Sequence, residues 1–209
     1  LRAVQEGHKL ILISGPTGSG KKTLLKWTKN NLEKDYKIIF LGKPPDVPER
    51  FVDILNDAFK APWFLWPFVP HIKNMYQIPE FLNKKLGKRQ LIILCDEIHE
   101  SDIKVLEWMR VLSDHIDNVS VVLYGLPVFE SYMNSLETFK KRIIERIELL
   151  SLTKEETAAL ISTRIKNAGG KGDEFADILD VIYERTQGFP REVLRYCNDV
   201  LDEAVRRNE

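Results

Sequence analysis

Residues 10–23 read LILISGPTGSGKKT, and the order of chemistries in this stretch decides the fold. An apolar run of strand length passes into a glycine-rich turn and then into a helical pattern over 20–33. In that order, backbone N–H groups of the turn and the start of a helix converge on one point, where an anion is favoured. Gly15, Gly20 and Lys21 match the pattern G-x-x-x-x-G-K-[ST], but Lys22 stands where the pattern has a hydroxyl. The alternative reading is a glycine turn that only starts a helix, and the rest of the chain argues against it.

Working outward, short apolar runs recur at 9–14, 37–41, 91–95, 119–124 and 146–150. Each is continuous, as in a parallel sheet covered on both faces. Helical patterns lie between them, around 49–60 and over 101–115, where Val105, Leu106, Met109 and Leu112 share a face. Alternating strands and helices predict an α/β fold, a P-loop NTPase three-layer sandwich with a parallel sheet. After residue 150 the strand pattern stops, and three amphipathic helices follow. Thr153 and Glu156 have capping-box spacing, and Gly169 and Gly170 close the first helix. The expected division is a nucleotide-binding core over 1–150 and a small all-helical lid over 151–209.

A second motif supports the first. The run LIILC ends in Asp96 and Glu97, and a carboxylate after such a strand can hold Mg²⁺ while its neighbour orients and deprotonates a water. Asp96 is assigned the metal and Glu97 the water. His99 reads as an exposed loop histidine without a partner. The loop residues Gly15, Pro16, Thr17, Gly18, Ser19, Gly20, Lys21, Lys22 and Thr23 are the candidate ATP or ADP contacts, with Lys21 on the β- and γ-phosphates.

These motifs, in this order, resemble the AAA+ ATPases. QGFPREVLRYCND, 187–199, is similar to the G-x-P-R segment that opens the third lid helix in the branch holding archaeal origin-recognition initiators and the ExeA-type and TnsC-type ATPases. VVLYGLPVFESYM, KKRIIERIELLSLTKEET and RIKNAGG also resemble the ExeA and TnsC pattern, so the likeness covers nearly the whole chain. The resemblance implies that Arg191 is a sensor of the γ-phosphate across the cleft between core and lid. It also implies that an arginine near Arg142 and Arg146 reaches a neighbouring subunit's nucleotide, which predicts a homo-oligomer. Four residues apart, these two are expected on one helix face, with Arg142 the better finger; the alternative is an ion pair with Glu137, Glu145 or Glu148.

The pattern breaks at one end of the loop. An ammonium at Lys22 cannot coordinate a metal. Thr23 follows but points about 100° away on a helix. Either the loop end shifts so that Thr23 serves, or Mg²⁺ is held through water and Asp96, or it is bound weakly. The small polar sensor that the resemblance implies on the fourth strand has no clear counterpart: the strand ends LYGLP and offers Tyr124 and backbone. Binding is therefore expected to be retained and hydrolysis to be slow.

Lys and Arg number 31, as do Asp and Glu, so the balance of charge excludes a global field for nucleic acid and leaves DNA contact to a local patch or a flanking domain. The two cysteines lack metal-ligand spacing, which fits a reducing, cytoplasmic setting, and Cys95 reads as a buried thiol. No run approaches the roughly 18 apolar residues of a membrane span, so no membrane partner is expected. The first strand begins almost at once, as in a fragment of a longer protein. APWFLWPFVP, 61–70, sets four aromatics among three prolines, which exclude a regular helix or a central strand. It reads as a hydrophobic plug, as a docking patch for a protein partner, or as a stacking surface for single-stranded nucleic acid. The expected function is a nucleotide-dependent AAA+ switch in assembly or DNA transactions. The alternative is a non-hydrolysing module that uses ATP structurally; a small-molecule phosphotransferase lacks a second substrate pocket.

Overall fold

The computed structural model describes residues 1–60 and 71–207. Five strands form one sheet: β1 (Leu10–Ser14), β2 (Lys37–Leu41), β3 (Leu91–Cys95), β4 (Val119–Gly125) and β5 (Ile143–Glu148). All pairings are parallel, in the order β2-β3-β4-β1-β5. Burial explains which runs read as continuous. β1, β3 and β4 are buried at every position, whereas the edge strand β5 exposes four of its six positions and the edge strand β2 two of its five. Each aliphatic side chain so buried contributes about 1.5–3 kcal/mol, which ties the three central strands to the middle of the sheet.

Parallel neighbours need crossover connections. These are supplied by α2 (Lys21–Leu32), α3 (Arg50–Ala58), α4 (Ile78–Leu86), α5 (Ile103–His115), α6 (Val128–Met133) and α7 (Glu137–Lys140), with a short α1 (Arg2–Gln5) before the sheet. Leu12, Ile93 and Leu123 from the strands pack in one core with Phe51, Leu82 and Leu106 from the helices. The strand expected over 146–150 lies earlier, at Ile143–Glu148, because its register is set by pairing with β1. The aromatic stretch 61–70 lies outside the described residues.

By contact, the chain divides into two compact units: Leu1–Ser14 with Lys22–Glu148, and Gly15–Lys21 with Leu149–Glu209. The second contains α8 (Lys154–Asn167), α9 (Leu179–Thr186) and α10 (Pro190–Arg207). Thr153 and Glu156 form the capping box: the Thr153 hydroxyl accepts the Glu156 N–H, and the Glu156 carboxylate accepts the Thr153 N–H. Ile161, Phe175, Ile182, Val193 and Cys197 make a separate small core. Among the described residues no helix is long and apolar enough to cross a membrane.

Candidate functional site

The loop between β1 and α2 is shaped by glycines at the points where no other residue fits. Gly18 and Gly20 have φ of +88° and +96°, in the left-handed region. A Cβ on Gly15 would lie 2.7 Å from the Ser19 hydroxyl and 2.9 Å from the Leu149 carbonyl oxygen. The Lys21 ammonium donates to the carbonyls of Gly15 and Pro16 at 2.6 and 2.9 Å, and Ser19 N–H donates to the Pro16 carbonyl. Ser19 Oγ is buried with no hydrogen-bond partner among the described residues, while Thr17 lies exposed. A buried donor without a partner is a site for a ligand oxygen.

Arg191 comes to this loop. Its backbone N–H donates to the Gly18 carbonyl at 3.3 Å, and a Cβ on Gly18 would stand 3.1 Å from Arg191 Cβ. The turn that delivers it depends on Gly188, at φ +70°, where a Cβ would lie 2.1 Å from the Leu152 carbonyl oxygen. Gly188 also accepts the Leu152 N–H at 2.9 Å. Thus GFPR, residues 188–191, is an anchored turn that starts α10 with an arginine against the glycine loop.

The carboxylates after β3 form a second cluster. Asp96 is buried, and its Oδ1 accepts the Glu97 N–H at 2.9 Å. Glu97 has φ of 52°, a left-handed conformation that is unfavourable outside glycine and collects at functional positions. Its Oε1 lies 3.2 Å from Lys22 Nζ. Its Oε2 lies 3.8 Å from His99 Nε2. His99 is thus not the exposed, unpartnered loop residue expected from sequence; its side chain is 17% exposed and faces Glu97 across a tight turn.

Arg142 and Arg146 do not share a helix. Arg142 sits in the turn after α7 and pairs with Asp114 at 3.0 Å, a partner 28 positions away that spacing did not suggest. Arg146 lies within β5 and donates to the Lys140 carbonyl at 3.3 Å. A strand holds Arg146 because β5 pairs with β1 from Ile143 onward. Strand order also separates β3 from β1, since β4 lies between them.

Tyr124 is fully buried and donates to the Thr28 hydroxyl at 3.3 Å; burial raises its pKa, with the Asp96 charge adding to the shift. Cys95 is buried as expected, and burial pushes its thiol up to about 12. Sequence reasoning missed the Ser14–Glu130 hydrogen bond, 2.8 Å long, at the end of β1. No local signal announces it, because the partners are brought together only by the sheet.

The donor set can be tested against the groups it would hold. The loop suits a polyphosphate, with an unpartnered Ser19 hydroxyl, Lys21 and Arg191 converging on it. It does not suit direct coordination of Mg²⁺. Thr23 lies exposed on α2, and the preceding position carries an ammonium already drawn to Glu97.

Comparison with known proteins agrees with this fold. A family model described as an AAA domain matches residues 4–133, which include the loop, Asp96 and Glu97 and end before Arg142, Arg146 and Arg191. General secretion pathway protein A of Aeromonas hydrophila is 25% identical over 211 residues, covering 98% of this chain and 38% of that protein. The chain therefore spans well under half of that relative's length. Among solved structures, the Aeropyrum pernix ORC1 protein in complex with DNA superposes with a TM-score of 0.65 at 19% identity, over 100% of this chain and 58% of that one. The Aeropyrum pernix ORC2 protein in its ADP form gives 0.64 at 16% identity, over 100% and 61%. The chain belongs to the AAA domain family, whose model covers more than half of it, and its fold is similar to that of the origin-recognition structures.

Proposed function

We propose that this chain binds ATP or ADP on Gly15–Lys21 and acts as a nucleotide-dependent switch in assembly or DNA-associated transactions. Residues 1–150 serve as the nucleotide-binding core, and 151–209 as the helical segment that supplies the sensor. Lys21 holds the polyphosphate and Arg191 reads the γ-phosphate. The observation that carries this reading is the Arg191 N–H on the Gly18 carbonyl at 3.3 Å, which sets the arginine beside a glycine loop fit for phosphates. Asp96 and Glu97 take the acidic roles in turnover, with Glu97 as the base that accepts the water's proton. Arg142, released from Asp114, is the better candidate to reach a neighbouring copy's nucleotide in a homo-oligomer, and Arg146 the other.

DNA is the favoured partner, because the ORC1 relative in fold was solved in complex with it and the chain's neutral balance leaves the contact to a local patch. The stretch 61–70 is a candidate docking segment for a protein partner. A second reading, a module that uses ATP only structurally, is favoured by one observation: the Glu97 carboxylate is engaged by Lys22 at 3.2 Å. Phosphate release and particle mass, each followed with and without duplex DNA, separate the two. DNA-stimulated release supports the switch. ATP-dependent gain in mass without release supports the structural module, and neither change defeats both.

A further inference from the structure

Lys22 occupies the position from which a hydroxyl ordinarily holds a divalent cation, and its ammonium reaches the acidic turn after β3. In P-loop NTPases the start of the loop helix and the acidic end of a neighbouring strand are bridged by Mg²⁺. Here the same two elements are bridged by a side chain: Lys22 Nζ lies 3.2 Å from Glu97 Oε1, and Glu97 N–H in turn is held by Asp96 Oδ1 at 2.9 Å. The cation stands at the bridging position and is covalently part of the chain.

Exposure makes this pair easy to rearrange. The Lys22 side chain is 71% exposed and that of Glu97 29%, so solvent screens the attraction and the contact is weak. A triphosphate offers the ammonium a denser negative charge than one carboxylate does. Lysine suits that task as a compact point charge that needs no fixed coordination geometry. Thr23, the next residue, lies exposed on α2 and points about 100° away from position 22 around the helix.

We infer that the Lys22 ammonium takes the place of the divalent cation, so that this chain binds nucleoside triphosphate without requiring Mg²⁺. The inference rests on the reading of Gly15–Lys21 as a polyphosphate loop. In this structure Glu97 is the counter-ion of Lys22. When nucleotide binds, the ammonium turns to the phosphates and Glu97 gives it up. A single positive charge neutralises part of what a divalent ion would, and it offers no bound water to the reaction. Retained binding with slow turnover follows from that difference.

Calorimetric titration of the chain with ATP, once in excess Mg²⁺ and once in EDTA, tests this without any activity readout. The wild type is expected to bind equally in the two buffers, within about threefold. Lys22→Thr, which restores the hydroxyl and removes the charge, is expected to bind at least about tenfold more weakly in EDTA than in Mg²⁺. Lys22→Met, which supplies neither, is expected to lose affinity in both buffers. Because position 22 is exposed, all three chains should unfold at the same temperature, and this is checked first. A wild type that loses tenfold or more in EDTA overturns the inference. So does a Lys22→Thr chain as indifferent to the metal as the wild type, or a Lys22→Met chain of undiminished affinity. Absence of wild-type binding in both buffers has a different signature: it removes the loop reading itself and this inference with it.

Discussion

The phosphate loop and the acidic turn after β3 are built by different means. Around Gly15–Lys21 the geometry is made by backbone: positive φ at Gly18 and Gly20, a Gly15 that admits no Cβ, and the Arg191 amide on the Gly18 carbonyl. After β3 the arrangement is made by side-chain charges, with Glu97 between Lys22 and His99. Backbone geometry tolerates few changes, because a misplaced Cβ meets a fixed carbonyl. A charge cluster can be retuned by one substitution. On the proposed reading, the capacity to hold a nucleotide is rigidly specified, while the capacity to turn it over rests on a few replaceable side chains.

The sharpest way to break the rigid half is Gly188→Ala. A Cβ 2.1 Å from the Leu152 carbonyl oxygen at φ +70° forces the α9–α10 turn open. A loss of about 3 kcal/mol in the stability of the helical unit is expected, read by denaturant unfolding. A change under about 1 kcal/mol would mean that this turn is pliant and that Arg191 is not anchored. Next in size, Arg191→Ala should weaken ATP by about tenfold and ADP by much less, since only the triphosphate carries the charge it reads. Equal losses for both nucleotides would assign Arg191 to the loop's structure instead of to the γ-phosphate.

Thr153→Ala sharpens the comparison from the helical side. It removes one half of the capping box and should cost about 1 kcal/mol, visible as a lower unfolding midpoint with no change in ATP affinity. The smallest effect belongs to Arg142→Ala. Its pair with Asp114 is 55% exposed on the arginine side, so stability should move by less than about 0.5 kcal/mol. If Arg142 serves a neighbouring copy, phosphate release in the assembled state should fall all the same, and unchanged release would withdraw that role.

The parts legible in the sequence are those written locally. The capping box is a four-residue signal, and GFPR is a turn whose glycine and proline constrain their own backbone. The three central strands are legible because burial on both faces forces an unbroken apolar run. The edge strand β5 is harder: with one neighbour it mixes Ile143, Ile144 and Ile147 with Glu145, Arg146 and Glu148 in no regular pattern, and the following Leu149 and Leu150 draw the eye past its end at Glu148. Arg142 with Asp114, Ser14 with Glu130 and Lys22 with Glu97 are pairs made by tertiary folding, at separations where spacing carries no information. Pro79 near the start of α4 was a usable helix-start signal that the pattern of strands overshadowed.

The central claim is that a triphosphate seats in the glycine loop and is gripped by Lys21. Calorimetry of ATP with the wild type and with Lys21→Ala tests it most directly. A measurable saturating heat in the wild type, weakened by about a hundredfold or lost in the variant, is the predicted result. Equal affinity in the two chains, or no heat in the wild type, would contradict it.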